Sequence, residues 1–291
     1  MIPHGIFFAD GVASACWLFA VAAASSLIGG MLGMASGIFV VPVLTLFGHV
    51  DIRVAIGASI VSVIACSCGS AAPLLRKRLT HVRLAVVLEC ATVTGALCGV
   101  LLSGHLPARI LYFLFAAVLF VSARQMLRRR VEHPGAESAH VQPGTLDATW
   151  IDPDTRREMA FRVHRLAPGM VLMYGAGLLS ALLGIGSGVL KIPAMDTALR
   201  LPIKVSSATS NFMIGVTAAT SAGAYFMHGD IVTWIAGPVA LGSVPGALLG
   251  ARLLVRVPNE KLRLLFVCVL LLLGASMLFE SLGIPLAGVP V

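Results

Sequence analysis

Charge is what this sequence has least of: charged residues make up 12% of the 291, against 58% hydrophobic ones, and the mean hydropathy is +0.94. A soluble globular domain, with about a quarter of its residues charged, is excluded. Several chemistries also lack their signatures. There is no P-loop, so ATP does not drive this chain directly. A rhomboid-type protease needs Gly-x-Ser-Gly, yet Met34 and Ile185 stand three residues before Gly37 and Gly188. An aspartyl intramembrane protease needs paired aspartates inside spans, whereas Asp196 and Asp230 sit near span ends. No enzymatic activity and no cofactor is implied. The cysteines, Cys16, Cys66, Cys68, Cys90, Cys98 and Cys268, lie in apolar runs without the neighbouring His or carboxylates that a metal needs. Cys66 and Cys68 point to different faces of a helix, so the expected role of these thiols is buried packing rather than pairing. Before the first apolar run stand only His4 and Asp10, with no Lys or Arg, so that segment reads as a span and not as a secretory signal.

What is present is apolar length. Stretches able to cross about 30 Å of hydrocarbon occur near residues 14–47, 54–75, 84–104, 109–127, 167–199, 205–227, 231–251 and 264–280. They exceed the length of barrel strands and show no alternation of period two, so they are helical. The expected fold is an all-α polytopic membrane protein of about eight transmembrane helices, embedded in a lipid bilayer.

Those helices fall into two homologous sets of four. Residues 27–127 recur at 178–278 with a constant offset of 151. Leu32, Gly33, Ser36, Gly37 and Pro42 return as Leu183, Gly184, Ser187, Gly188 and Pro193, and Gly95-Ala96-Leu97 with Gly99 return as Gly246-Ala247-Leu248 with Gly250. A register held this long implies a duplication, with a ligand site between the two halves. The divisions are a first transmembrane repeat over 1–127, a polar cytoplasmic linker over 128–166 and a second repeat over 167–291.

The net charge of +8 is a topology signal rather than a nucleic-acid footprint. Of the 21 Lys and Arg, twelve sit in two places: Arg76, Lys77, Arg78 and Arg83, and eight between Arg124 and Arg165. The positive-inside rule makes both loops cytoplasmic and, with four spans per repeat, puts the N-terminus inside too. The second half does not obey this scheme. Arg252, Arg256, Lys261 and Arg263 fall on a predicted outer loop, while the predicted inner turn at His228 and Asp230 carries no Lys or Arg. Parallel repeats of four spans are the first reading; a re-entrant element in each repeat would invert the repeats and fit the charges better. In the linker, Pro134, Pro143 and Pro153 forbid a long helix, leaving a solvated connector with a possible short basic helix from Asp154 to Arg165.

Each repeat opens on an apolar run interrupted by a glycine knot, Gly29-Gly30-Met31-Leu32-Gly33-Met34-Ala35-Ser36-Gly37 and Gly184-Ile185-Gly186-Ser187-Gly188. Glycine at this density breaks a helix into two. The second piece then begins with unpaired N–H groups at the positive end of its dipole, which is an anion site, and two such ends facing one another would form one cradle. Gly33, Ser36, Gly37, Gly184, Gly186, Ser187 and Gly188 are the first candidates. Ser59 and the run Thr209-Ser210-Asn211 offer uncharged polar groups that either coordinate an anion or bond between helices. Gly95, Gly99, Gly246 and Gly250 have the spacing of close helix packing and need no ligand. Lys191 is the one basic residue placed inside a span; it neutralises a bound anion, pairs with Asp196 or snorkels outward. Glu89, the one acid well inside a span, either carries a coupling proton or snorkels towards Arg83.

In this order the motifs resemble those of the sulfite exporter TauE/SafE family of membrane transporters, over nearly the whole chain outside the linker. That family's glycine-rich knot with a following proline is matched by Gly33-Met34-Ala35-Ser36-Gly37 with Pro42 and by Gly184-Ile185-Gly186-Ser187-Gly188 with Pro193. Its Ala-x-x-Thr-Ser segment is matched by Ala208-Thr209-Ser210-Asn211, and weakly by Gly57-Ala58-Ser59. A Gly-Asp hinge leading to a glycine-rich helix is matched by Gly229-Asp230-Ile231-Val232 and by Gly246 to Gly250. Met34-Ala35-Ser36 stands where the family usually has more glycine, and the first hinge reads Arg78-Leu79-Thr80-His81-Val82. The resemblance implies secondary transport, expected as export, of sulfite, sulfonates or related small anions across the bacterial inner membrane. A homodimer is a possible assembly. The reading from a different class is a passive anion channel or a membrane scaffold without a transport cycle.

Overall fold

The glycine knots end helices where the sequence places them. A computed structural model describes residues 11–76, 79–103, 106–127, 148–151, 158–161, 166–199, 203–253 and 259–282. Among these residues the elements run α1 (Gly11–Leu32), α2 (Gly37–Leu46), α3 (Ile52–Arg76), α4 (Val82–Ser103), α5 (Ala108–Leu127), β1 (Ala148–Ile151), β2 (Glu158–Phe161), α6 (Leu166–Leu183), α7 (Gly188–Ala198), α8 (Ile203–Met227), α9 (Thr233–Leu253) and α10 (Asn259–Ser281). A shift of 151 residues carries α3 onto α8 end to end, and starts α7 and α10 where α2 and α5 start. Five of the described helices, α1, α3, α4, α6 and α9, are long and apolar enough to cross a membrane.

The expected first span of 14–47 and its counterpart are not single rods. Gly33 and Ala35 take φ of +75° and +67°, and Gly184 and Gly186 take +61° and +71°. Left-handed residues cannot continue a right-handed helix, and Met34 N–H closes α1 on the Gly29 carbonyl at 3.1 Å. The chain then turns back. Gly48, just past α2, lies against Trp17 of α1, and Gly169 of α6 lies against Leu199, just past α7. Each half therefore opens with a hairpin of one long and one short helix. At 10 residues, α2 is about 15 Å long, half of a hydrocarbon core.

Contacts between the halves fix the directions of the helices. Gly242, Gly246 and Gly250 of α9 back onto Phe19, Ala23 and Leu27 of α1, so these two run parallel. Likewise Gly95 and Gly99 of α4 back onto Tyr174 and Leu178 of α6. A methyl group at Gly95 or Gly246 would fall 2.0 or 2.2 Å from a carbonyl oxygen of the partner helix, so the GxxxG positions serve close packing as expected. By contrast, α3 and its counterpart α8 run antiparallel: Ser67 donates to the Asn211 carbonyl, while Leu74 packs on Ala208. A rotation about the membrane normal, which relates parallel repeats, would leave α3 and α8 pointing the same way. The first reading, parallel repeats, is thus overturned, because α2 and α7 return the chain and make the number of direction changes per half odd.

Two smaller expectations also change. The short basic helix over 154–165 is replaced at 158–161 by strand β2, paired antiparallel with β1 (Trp150 opposite Met159), in keeping with the β-branched and aromatic residues of Thr149-Trp150-Ile151. Of the six cysteines only Cys66 is buried; the others lie exposed on helix surfaces. In a lipid-facing wall a thiol is tolerated outside as readily as inside.

Candidate functional site

The tips of the two hairpins meet. A Cβ at Gly37 would fall 2.3 Å from the Gly184 carbonyl oxygen, and one at Gly188 2.6 Å from that of Gly33. Only glycine allows this approach. The carbonyls left free at the tips are met from the opposite half in a matched pair of bonds: Ser59 donates to Gly184 at 2.8 Å and Ser210 to Gly33 at 3.2 Å. Met34, Ala35, Ile38, Ile185, Val189 and Ile214 enclose the tips within the main core.

Both short helices thus begin at the junction. In α2 the first bonded amides are Phe39 and Val40, both to the Ser36 carbonyl; in α7 they are Leu190 and Lys191, both to Ser187. The amides before them, of Gly37, Ile38, Gly188 and Val189, precede the first helical bond, and neither N-cap serine uses its hydroxyl to cap its own helix. The positive ends of two helix dipoles therefore converge on one buried place.

The halves part company in how the two serines are satisfied. Ser36 Oγ lies 2.7 Å from Ser62 Oγ, which lies 2.6 Å from Ser243 Oγ, and Ser243 donates to the Val239 carbonyl. Met213 stands where Ser62 would recur, and the Ser187 hydroxyl, 1% exposed, has no hydrogen-bond partner among the described residues. One turn further along α7, Lys191 is fully buried, which rules out snorkelling. Its ammonium donates to Thr217 Oγ1 at 2.6 Å and to Glu89 Oε2 at 3.2 Å, and Thr217 donates in turn to Glu89 Oε1. Glu89, 8% exposed, does not snorkel towards Arg83 either. At the equivalent positions the other half carries Val40, Cys66 and Ala240, so this charged triad has no counterpart.

Of the residues singled out from the sequence, Gly33, Ser36, Gly37, Ser59, Gly184, Gly186, Ser187, Gly188 and Ser210 come together at the tips, with Lys191 adjoining. The donor protons of Ser59 and Ser210 are already engaged by the backbone. Asn211 reaches the Gly30 carbonyl at 3.5 Å, while Thr209 turns away to accept the His81 amide at 3.1 Å. The Asp196 side chain lies outside the described residues. Sequence reasoning missed Thr217, Ser62 and Ser243. It also missed that Lys191 and Glu89 are partners, although two lone opposite charges in spans signal such a pair. Among the described residues no group of three His, Cys, Asp or Glu side chains is placed to hold a metal ion.

Titratable groups at the helix ends are perturbed by partial burial. It pushes the His81 imidazole below its ordinary value, with the charge of Arg83 acting the same way. Nδ1 of this ring accepts the Leu84 amide at 3.0 Å, capping α4. Burial pushes Asp230 up, against the opposing pull of Arg53 and His228.

Comparison with known proteins places this geometry in context. The family model described as Sulfite exporter TauE/SafE matches residues 18–277. The chain is similar to the probable membrane transporter protein YunE of Bacillus subtilis (strain 168), 25% identical over 88% of this chain and 94% of that protein. It is similar also to YdhB of the same organism, a probable membrane transporter protein, 26% identical over 80% of this chain and 88% of the other. A probable membrane transporter protein of Xylella fastidiosa (strain 9a5c) is 26% identical over 80% and 82%. No solved structure matches the chain.

Proposed function

The chain belongs to the sulfite exporter TauE/SafE family of membrane transporters, and we propose that it is a secondary exporter of small anions such as sulfite, sulfonates or related organic anions. The observation that carries this reading is the meeting of two helix N-termini at a buried, glycine-lined junction beside a fixed cation. Gly33, Ser36, Gly37, Gly184, Gly186, Ser187, Gly188 and Lys191 line the anion's place, while Ser59, Ser210 and Asn211 hold the broken backbone in shape. The abutting tips support a cycle of alternating exposure rather than a standing pore.

The proposed layout is a pair of inverted repeats in the bacterial inner membrane. Meeting α3 at Ser62 with Ser243 and at Gly69 with Ala247, α9 runs parallel to it and ends on the face where α3 ends, and α6, parallel to α4, begins where α4 begins. The basic stretches at 76–83, 128–165 and 252–263 then share one face, which the positive-inside rule makes cytoplasmic. The N-terminus, expected inside, moves to the opposite face, since α1 runs with α9.

The test is counterflow in proteoliposomes with sulfite, thiosulfate, taurine, sulfoacetate and methanesulfonate. Exchange of at least one of them is expected, and its loss in Gly188→Leu with membrane insertion intact would place transport at the tips. No exchange of any anion would refute the reading.

A further inference from the structure

Glu89 sits where a ligand would. Its carboxylate belongs to the first half, on α4, yet both of its hydrogen-bond donors come from the second half, the Lys191 ammonium of α7 and the Thr217 hydroxyl of α8. One ammonium and one hydroxyl, one to each oxygen, is the way a protein holds a free oxyanion. The fold does not require the pair, because the opposite half packs with Val40, Cys66 and Ala240 at the same three positions. Four residues before Lys191, and so on the same face of α7, lies the buried and unpartnered hydroxyl of Ser187. The Gly188 and Val189 amides at the helix N-terminus lie between these two. The ammonium and the hydroxyl thus share one face of α7, and the two free amides point out of its N-terminal end beside Ser187.

We infer that a monovalent oxyanion of the carboxylate or sulfonate type binds along this face of α7, between Ser187 and Lys191, by displacing the Glu89 carboxylate, which leaves as its neutral acid. This rests on the reading of the chain as an anion transporter. The cost of a net charge in a buried site drives the step. At rest the buried site holds one ammonium and one carboxylate and is neutral. Adding an anion would leave a net negative charge in a buried place, which is prohibitive. A proton from the side on which the anion enters forms an O–H bond on Glu89, the N–H···O contact with Lys191 opens, and the anion takes its place. One proton then travels with each anion, the site remains neutral throughout, and nothing is oxidised or reduced. Among the described residues the Glu89 carboxylate is bonded to Lys191 and Thr217. On α6, Tyr174 lies beside Cys98, and on α8, Tyr225 donates to the Ala181 carbonyl.

The purified full-length chain is titrated with methanesulfonate, a sulfonate whose single charge does not change with pH, in weakly buffered solution with a pH indicator. Wild type should take up one proton per anion bound, and its affinity should fall about tenfold for each unit of rising pH through linkage. Glu89→Gln should also take up a proton, now on Lys191, but the infrared band of a protonated carboxylic acid that methanesulfonate raises in wild type should be missing from it. If that variant does not fold, the doubly neutral Glu89→Gln with Lys191→Met should fold and bind nothing. Wild type that binds no methanesulfonate, or binds it without taking up a proton, overturns the inference. So does a carboxylic-acid band that fails to rise in wild type or persists in Glu89→Gln, or anion binding that persists in the double variant. These outcomes leave counterflow of the other anions intact, so they are distinct from failure of the transporter reading, which removes counterflow altogether.

Discussion

Replacing Glu89 with Gln leaves the Lys191 ammonium buried beside Thr217 with no counter-charge. Lys191 has no exposed surface through which to reach water, and at 3.2 Å the lost attraction is about 5 kcal/mol at an effective dielectric constant of about 20. The stranded ammonium escapes by losing its proton. From the ordinary lysine value, that costs about 4.6 kcal/mol at about pH 7, which caps the penalty. Lys191→Met strands the carboxylate instead, and protonating a glutamate at about pH 7 costs at most about 3.7 kcal/mol; the resulting acid keeps its Thr217 contact.

The two variants therefore differ in sign as well as size. In Glu89→Gln the unfolded state binds one more proton than the folded one, so stability rises with pH by about 1.4 kcal/mol per unit; in Lys191→Met the folded state binds the extra proton and stability falls with pH by the same amount. Removing both charges should restore most of the loss and abolish both slopes, because a buried pair can be replaced by neutral groups at little cost. Thermal unfolding in detergent, followed by tryptophan fluorescence from about pH 6 to about pH 8, reads all four proteins. Slopes of the same sign, or single variants as stable as wild type, would refute a buried ion pair.

Gly95→Ala and Gly246→Ala each put a methyl carbon 2.0 or 2.2 Å from a partner backbone oxygen and should cost about 1–3 kcal/mol in the same assay. Gly175→Ala and Gly237→Ala, with nothing within 4 Å, should match wild type or gain up to about 1 kcal/mol from helix propensity. Because burial depresses His81 below its ordinary value, its contribution is complete above about pH 6.5 and is lost as pH falls through the depressed folded value. His81→Asn, which keeps a capping acceptor, should remove that acid sensitivity on thermal unfolding. With the six native cysteines replaced, Thr80→Cys should be labelled by impermeant reagents from the cytoplasm alone and His228→Cys from the outside alone; both labelled from one side would overturn the inverted layout.

What the sequence made legible follows from what each signal encodes. The knots were readable because glycine at Gly33, Gly184 and Gly186 supports φ values that few other residues adopt, and Ala35 shows that the backbone shape persists where glycine is lost. The packing role of Gly95, Gly99, Gly246 and Gly250 was readable from spacing. Helix direction was not. An offset of 151 says that two segments share a fold but is silent about the rotation between them, and hydropathy scores a returning hairpin such as α1 with α2 as one long span. The clue lay in Arg252, Arg256, Lys261 and Arg263, whose charge was at odds with parallel repeats and agrees with inverted ones.

Comparing the halves position by position also separates what holds the fold from what sets it apart. Ser59 and Ser210 recur as equivalents and do equivalent things, each closing the other half's broken backbone. Residues that recur in this way are accounted for by the architecture alone. Lys191, Glu89 and Thr217 face Val40, Ala240 and Cys66, and Ser187 has lost the partner that Ser36 keeps. A duplicated scaffold needs none of these departures to stand, and a buried charge pair gives it little net stability. They are all polar, they gather around α7, and they leave one hydroxyl unmet. Two symmetric tips could serve two ligands or none; one charged tip beside one neutral tip favours a single anion and fixes the side of the junction on which it rests.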